Sequence, residues 1–125
     1  MIHGPFNSGA AVGADGAATA TAYSPADIHG FIYALYVKYN GDKPATTDVT
    51  ISTRGASPHI PSVAILTLTD KNTDGLFLPR INAHSILGVV DASGDKLIPI
   101  ADVLKILVAG ANTDDTVDVW LETLE

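Results

Sequence analysis

Residues 70–75, DKNTDG, place side-chain oxygens at alternating positions, with Asp70, Asn72 and Asp74 preceding a glycine. The calcium loop of an EF-hand begins with this spacing. That loop requires a bidentate glutamate at its twelfth position, which is Ile81 here, and helices on both sides, where strand-like segments stand instead. An EF-hand is therefore excluded. A looser calcium loop between strands is one alternative. The other, which we predict, is a hairpin loop whose Asn and Asp side chains bond to nearby backbone.

The only tryptophan of the chain offers a second kind of chemistry. In the closing segment TVDVWLETL, the alternation of a strand places Asp118, Trp120 and Glu122 on one face and apolar residues on the other. An indole ring covers the apolar face of a sugar, and carboxylates accept hydrogen bonds from its hydroxyls. The alternative, which we favour at this point, is a protein interface, because tryptophan is enriched there. Tyr36, in an earlier aromatic segment, is a further interface or ligand candidate.

Other patterns of catalytic or metal-binding residues are missing from the sequence. The four histidines, at positions 3, 29, 59 and 84, show neither HxH nor HExxH spacing. No GxSxG elbow, P-loop or GxGxxG fingerprint occurs. The chain has no cysteine, so it forms no disulfide. We predict a protein that is not an enzyme and has no cofactor.

The charge balance limits the classes of partner. The net charge is −7, and the seven Lys and Arg residues are scattered without a basic run. Nucleic acids are bound chiefly through Lys and Arg at phosphates, and anionic membranes attract the same residues. We therefore expect neither nucleic-acid nor membrane binding. The N-terminus lacks the basic and apolar regions of a signal peptide, and no stretch approaches the roughly 20 apolar residues of a membrane span, which predicts a soluble, intracellularly made protein.

The N-terminal segment differs in composition from the remainder. It is rich in Gly and Ala and poor in large apolar groups, so it buries little surface to offset the entropy of ordering. We predict a flexible arm over residues 1–18, followed by a single domain over residues 19–125. The arm is either a frayed terminus or a segment that orders on a neighbouring subunit or surface.

The rest of the chain reads as about seven to nine short strands separated by Gly, Asn, Asp and Pro turns, with no convincing amphipathic helix. The segment Asp27–Tyr39 is apolar on both alternating faces, which is typical of a strand covered on both sides. The segment Thr46–Thr53 alternates between apolar and polar residues. DASGD at residues 91–95 is predicted as a turn. The pattern predicts an all-β fold, either an antiparallel β-sandwich or a jelly-roll-like barrel.

Three stretches together carry a resemblance to a known group: HGFIYALYVKYNGDKPATTDVTIST, ILTLTDKNTDGLFLPR, and a hydrophobic C-terminal strand preceded by GANTDD. They resemble small structural proteins from the heads of tailed bacteriophages, a group that includes capsid decoration, or cement, proteins. The resemblance implies a virion protein made in the host cytoplasm, which binds the major capsid protein on the outer surface of the shell, often as a homotrimer.

The same resemblance implies a mechanism of stabilisation. A protein that binds only the assembled lattice stabilises it by mass action, and threefold geometry multiplies weak contacts. Apolar strand faces would then be covered once by the core and once by a partner. The alternative function is a carbohydrate-binding β-sandwich module of a phage spike or tail, using Trp120, Asp118 and Glu122.

Overall fold

The computed structural model describes residues 1–55, 62–84 and 87–124, with the backbone alone at residue 83 and residues 91–95. In these ranges the chain forms strands and no helix, so no helix there is long and apolar enough to cross a membrane. The strands are β1 (Ile2–Asn7), β2 (Ala18–Tyr23), β3 (Ile28–Asn40), β4 (Asp48–Thr53), β5 (Ala64–Leu68), β6 (Gly75–Phe77), β7 (Ile81–His84), β8 (Val90–Lys96), β9 (Ile98–Asp102), β10 (Leu104–Ala111) and β11 (Thr116–Leu124).

These strands form two antiparallel sheets and a separate hairpin. The first sheet has the order β1-β11-β3-β6, and β9 pairs with the other half of the long strand β3. The second sheet has the order β2-β10-β4-β5, and β7 pairs with β8. The two sheets pack as a β-sandwich, which confirms the predicted all-β antiparallel fold.

The core lies between the two sheets and is made largely of branched aliphatic side chains. Every second residue of β11, and of β10 as far as Val108, points inward, which is why the sequence alternates there. Branched side chains suit this position because they pack well against a pleated surface. The largest fully buried members are Ile32, Leu35, Val37, Val49, Ile51, Ile98, Leu104, Ile106, Val108, Val117, Val119 and Leu121.

A β-bulge in β3 changes which side chains face outward. The pairing of β3 with β11 leaves Tyr33 without a register partner, so the alternation shifts by one residue there. Ile32 and Leu35 are therefore both buried, whereas Phe31 and Tyr36 are 47% and 39% exposed. The two alternating faces predicted for Asp27–Tyr39 would put Phe31 and Leu35 on the same side, so the assumption of strict alternation is wrong in this strand. The bulge places Phe31, Tyr33 and Tyr36 together on the outer face of the first sheet, whereas Tyr39 points into the core.

The structure differs from the flexible arm predicted for residues 1–18. Strand β1 pairs with the edge of β11, and the backbone N–H of Ser8 donates a hydrogen bond to the carbonyl of Val117 at 2.9 Å. Ala11 and Ala18 are fully buried in the core. The segment is held by backbone hydrogen bonds and by small side chains that fit close to the sheet, so it needs few large apolar residues.

Two loops also differ from their predictions. DKNTDG connects β5 in the second sheet with β6 in the first, so it crosses between sheets and is not a hairpin loop. DASGD lies within strand β8 and is not a turn. The strands β1, β2 and β9 were not predicted, because their sequences are rich in Ala, Gly, Pro or Thr and lack a long apolar alternation.

Tyr39, near the end of β3, is buried to 3% exposure, and its hydroxyl has no hydrogen-bond partner in the described part of the chain. Burial raises the pKa of this phenol from its ordinary value of 10.0 to about 12, and the nearby carboxylates of Asp74 and Asp48 add to the rise. The folded state therefore keeps the proton at a pH where the unfolded state has lost it.

This raised pKa makes the free energy of unfolding depend on pH in alkaline solution. The contribution of Tyr39 is fully present below pH 10 and is lost as the pH rises from 10 towards about 12. We expect Tyr39→Phe to be as stable as the wild type at pH 8, or more stable by up to about 1 kcal/mol, because it removes an unpaired buried hydroxyl. Its stability should fall less steeply between pH 10 and 12.

Urea unfolding at a series of pH values measures both effects. Tyr23→Phe serves as the control, because Tyr23 is 48% exposed on the second sheet. A Tyr39→Phe profile that runs parallel to the wild-type profile above pH 10 would contradict the role assigned to this phenol.

Candidate functional site

An aromatic and aliphatic row crosses the outer face of the first sheet. Trp120 of β11 is the register partner of Tyr36 of β3, which in turn is the register partner of Leu76 of β6. Residues paired in this way project from the same face of a sheet. The ring centroids of Tyr36 and Trp120 lie 5.5 Å apart with an angle of 56° between the ring planes. The two rings are in the contact range of a tilted aromatic pair.

A second row lies beside the first and completes a groove. Glu122 of β11 is paired with Ile2 of β1 on one side and with Ala34 of β3 on the other. Together the two rows line an open groove of about 350 Å³, which is near the lower end of the roughly 300–1,000 Å³ typical of ligand sites. The lining is apolar except for Glu122 and the polar tips of the two rings. We call it the Trp120 groove; its lining residues are Ile2, Ala34, Tyr36, Leu76, Trp120 and Glu122.

The side chains of the Trp120 groove are open to solvent, because no second layer formed by the described residues covers this face. Leu76 is 65% exposed and Ile2 is 71% exposed, while Trp120 is half-buried between its neighbours. Exposed aliphatic side chains next to aromatic rings are typical of a binding surface when they form a contiguous patch. The site is therefore a preformed apolar surface carried by hydrogen-bonded strands.

Asp118 lies on the same face as Trp120, but its carboxylate is occupied by the protein. The side-chain amide of Asn7 donates to one oxygen at 2.8 Å, and that of Asn40 donates to the other at 3.0 Å. These bonds link the ends of β1, β3 and β11 beside the groove. Asp118 is therefore not among the groove-lining residues, and it holds in place the strands that carry the rings.

Glu122 differs from Asp118 in having no such partners. Its side chain is half-buried in the groove and makes no hydrogen bond or ion pair with the residues that the structure describes. The carboxylate is thus an acceptor aimed at a ligand or at solvent. Of the four predicted candidates, the structure brings Trp120, Tyr36 and Glu122 into one groove and places Asp118 at its end.

Sequence reasoning missed the aliphatic half of the site. Leu76 stands in the short segment LFL, whose alternation was visible, but its partner strand was not predictable from the sequence. Ile2 belongs to the segment that was predicted to be a flexible arm. Nothing in the local sequence of either residue indicates that it lies next to Trp120.

The three residues of the alternative calcium loop each make a hydrogen bond to another part of the protein, two through the side chain and Asp70 through its backbone N–H. Asp74 accepts a hydrogen bond from the backbone N–H of Tyr39 at 2.8 Å, and the amide of Asn72 donates to the carbonyl of Lys43 at 2.8 Å. Asp70 has a positive φ of 53°, and its N–H donates to the carboxylate of Asp48. These bonds tie the crossover loop to both sheets. Within the described ranges, no group of three or more His, Cys, Asp or Glu residues has the geometry of a metal site.

We expect added calcium or excess EDTA to leave the melting temperature unchanged, since Asp74 already accepts a hydrogen bond from the backbone of Tyr39 and the amide of Asn72 is turned to the carbonyl of Lys43. Differential scanning calorimetry of the protein with either addition measures this directly, and metal analysis of the purified protein is the matched control. A melting temperature that rises with calcium and falls with EDTA would show that Asp70, Asn72 and Asp74 hold a metal.

The histidines are spread over the molecule. His3 hydrogen-bonds through Nε2 to the hydroxyl of Thr123 at 3.0 Å. His84 lines an open cleft of about 490 Å³ at the β7–β8 hairpin, together with Arg80. His59 lies outside the described residues. The guanidinium of Arg80 lies 5.4 Å from the ring centroid of Tyr33, so this cation is already placed over an aromatic ring.

No family model matches the sequence, and no curated protein matches it. Solved structures with a similar chain path include FLHE, which is 10% identical, with 99% of this chain and 93% of that chain covered and a TM-score of 0.42. A family 16 carbohydrate-binding module is 14% identical, with 89% and 73% covered and a TM-score of 0.40. A mutant of a family 29 carbohydrate-binding module is 12% identical, with 90% and 64% covered and a TM-score of 0.40. These likenesses concern the β-sandwich fold alone.

Proposed function

We propose that the protein is a carbohydrate-binding β-sandwich module, and that the Trp120 groove is its binding site. The observation that supports this proposal is the pair of adjacent rings, Trp120 and Tyr36, lining an open groove next to the carboxylate of Glu122. A pyranose ring presents C–H groups on its faces and hydroxyls around its edge. The aromatic rings stack on the C–H groups of the face, and the carboxylate of Glu122 accepts hydrogen bonds from hydroxyls at the edge.

The preformed surface suits weak, reversible binding. The rings are carried by paired strands, so little conformational entropy is lost when a ligand settles on them. An open groove allows a longer chain to pass through and continue on both sides. We propose dissociation constants in the micromolar to millimolar range for short oligosaccharides, which corresponds to about −8 to −4 kcal/mol.

We propose that the module binds without cleaving. Glycoside hydrolysis uses two carboxyl groups that flank the scissile bond. Among the described lining residues of the groove, Glu122 is the one carboxylate, and the neighbouring Asp118 is bound by Asn7 and Asn40. This arrangement supports recognition of a saccharide by stacking and one acceptor.

A binding panel tests the proposed function. Soluble oligosaccharides of several backbones are titrated by calorimetry, and insoluble polysaccharides are tested by co-sedimentation. We expect saturable binding to at least one backbone, with an affinity that rises with chain length until the groove is filled. A panel in which neither neutral, cationic nor acidic saccharides bind would contradict the proposal.

A second candidate function is that of a capsid decoration protein bound to the major capsid protein on the outer surface of a phage shell. The observation that favours it is that the exposed apolar surface extends beyond the groove, since Phe31, Tyr33 and Leu78 are 47%, 40% and 53% exposed. A broad apolar surface is typical of a protein interface. The resemblance to head proteins of tailed bacteriophages supports the same candidate.

The absolute mass of the protein in solution distinguishes the two candidate functions by their oligomeric state. Light scattering on a sizing column should give about three times the 13.0 kDa chain mass if the protein is a homotrimeric decoration protein. Co-sedimentation with expanded phage shells then tests the capsid partner. A monomer that binds oligosaccharides and leaves shells unbound would exclude the decoration role.

A further inference from the structure

We infer that the saccharide bound in the Trp120 groove carries a positive charge, as the ammonium groups of a glucosamine oligomer do, and that this charge pairs with Glu122. This inference rests on the proposed function and names its ligand class. It follows from the surroundings of Glu122, from the chemistry of the two rings, and from the charge of the whole chain.

The surroundings of Glu122 leave its charge uncompensated. Its cross-strand neighbours are Ile2 and Ala34, both apolar, and none of the groove-lining residues is a Lys, Arg or His. The carboxylate makes no hydrogen bond with the described residues, although its side chain is half-buried. A ligand group of opposite charge therefore finds a carboxylate that no cation of the groove already pairs with.

An ammonium group satisfies this carboxylate better than a hydroxyl does. A charge-assisted hydrogen bond between N⁺–H and a carboxylate is roughly twice as strong as a bond between neutral groups. The neighbouring Asp118 offers no comparable site, since the amides of Asn7 and Asn40 already donate to its two oxygens. Glu122 is therefore the position at which the groove distinguishes a cationic sugar from a neutral one.

The two rings favour the same ligand. A cation within about 6 Å of the centroid of a Trp or Tyr ring is attracted by its negative face. Trp120 and Tyr36 both line the groove, and their centroids are 5.5 Å apart, so one ammonium group can lie within this range of both rings. The rings thus stack on the sugar and also contribute to holding its charge.

The charge of the chain acts in the same direction over longer distances. With a net charge of −7, the protein attracts polycations and repels polyanions such as uronic-acid polymers. Lys38 pairs in register with Asp118, and Trp120 lies between Asp118 and Glu122 along β11. The lysine is therefore not a cross-strand neighbour of Glu122. Neutral oligosaccharides are neither attracted nor repelled at a distance.

Three oligosaccharides of equal length test the inference: a glucosamine oligomer, which is cationic, the matching N-acetylglucosamine oligomer, which is neutral, and a galacturonate oligomer, which is acidic. Each is titrated calorimetrically into the wild-type protein and into Glu122→Gln below the pH at which the amines lose their protons. We expect the cationic oligomer to bind roughly tenfold more tightly than the neutral one, and Glu122→Gln to remove most of that difference while neutral binding changes far less.

Asp27→Asn is the matched control, because it removes one negative charge at an exposed position away from the groove. An equal loss in Asp27→Asn and Glu122→Gln would show non-specific attraction and would overturn the pairing with Glu122. Equal binding of the cationic and neutral oligomers would overturn the inference while leaving the proposed function standing. Binding of none of the three, together with none from the wider saccharide panel, would instead overturn the proposed function itself.

Discussion

Replacement of Trp120 by alanine is expected to weaken oligosaccharide binding by about thirtyfold. Truncation of a central aromatic residue in a binding site commonly costs about 2 kcal/mol or more, and 2 kcal/mol corresponds to this change in affinity. The free energy of unfolding should fall by about 1 kcal/mol or less, because the ring lies on the outer face and its main aromatic contact is Tyr36. Calorimetric titration and urea unfolding of the same preparation measure both quantities.

Tyr23→Ala is the control for Trp120→Ala. Tyr23 is an exposed aromatic residue of β2, in the second sheet, so its loss removes a similar ring far from the groove. We expect its affinity for oligosaccharides to match that of the wild type. If Tyr23→Ala weakens binding as much as Trp120→Ala does, or if Trp120→Ala binds as the wild type does, the groove is not the binding site.

Replacement of Asp115 by alanine is expected to lower the free energy of unfolding by about 3 kcal/mol. This carboxylate is 6% exposed and accepts hydrogen bonds from the backbone N–H groups of Asp42, Lys43 and Asn112. Its removal leaves three backbone donors unsatisfied, and each such donor costs about 1–3 kcal/mol when it is kept from water. Gly41 packs so closely on Asp115 that a Cβ there would overlap the carboxylate.

The position of Asp115 links this loss to the site. It joins the turn after β3 to the turn before β11, the two strands that carry Tyr36 and Trp120. Urea unfolding measures the effect, with Asp27→Ala as an exposed control that should change stability by about 0.5 kcal/mol or less. Asp115→Asn keeps one acceptor oxygen and should retain part of the stability. An alanine variant as stable as the wild type would contradict the assigned role.

The sequence was informative wherever a strand obeys strict alternation. The closing segment does so over its whole length, so the common face of Asp118, Trp120 and Glu122 was predictable from the residue pattern alone. The antiparallel sandwich followed from the same periodicity and from the turn residues between segments. These features depend on local sequence, which is why they could be predicted without knowledge of the partner strands.

The parts of the site that depend on pairing between distant segments could not be predicted. Ile2 and Leu76 reach the groove because β1 pairs with β11 and β6 pairs with β3. The bulge at Tyr33 is likewise set by the register between β3 and β11, and it decides which aromatic residues face outward. Register between strands far apart in sequence is fixed by the whole core, so no local pattern reveals it.

The two functions predicted from the sequence receive different support from the structure. The geometry of the Trp120 groove supports the saccharide-binding alternative more directly than the decoration role, because the rings and Glu122 form one surface. Capsid binding, the homotrimer and a location on the virion stay predictions that rest on the phage resemblance. The exposed apolar surface around Phe31 is compatible with them and awaits the measurement of solution mass.

Trp120 is the only tryptophan of the chain, so its fluorescence reports on the proposed site without any label. The most direct test is a titration of the wild-type protein with the tightest saccharide from the panel, followed by tryptophan emission. We expect a saturable shift of the emission to shorter wavelength as the sugar displaces water from the half-buried ring, with a midpoint equal to the calorimetric dissociation constant. Saturable binding by calorimetry with unchanged emission would place the saccharide elsewhere and contradict the assignment of the Trp120 groove.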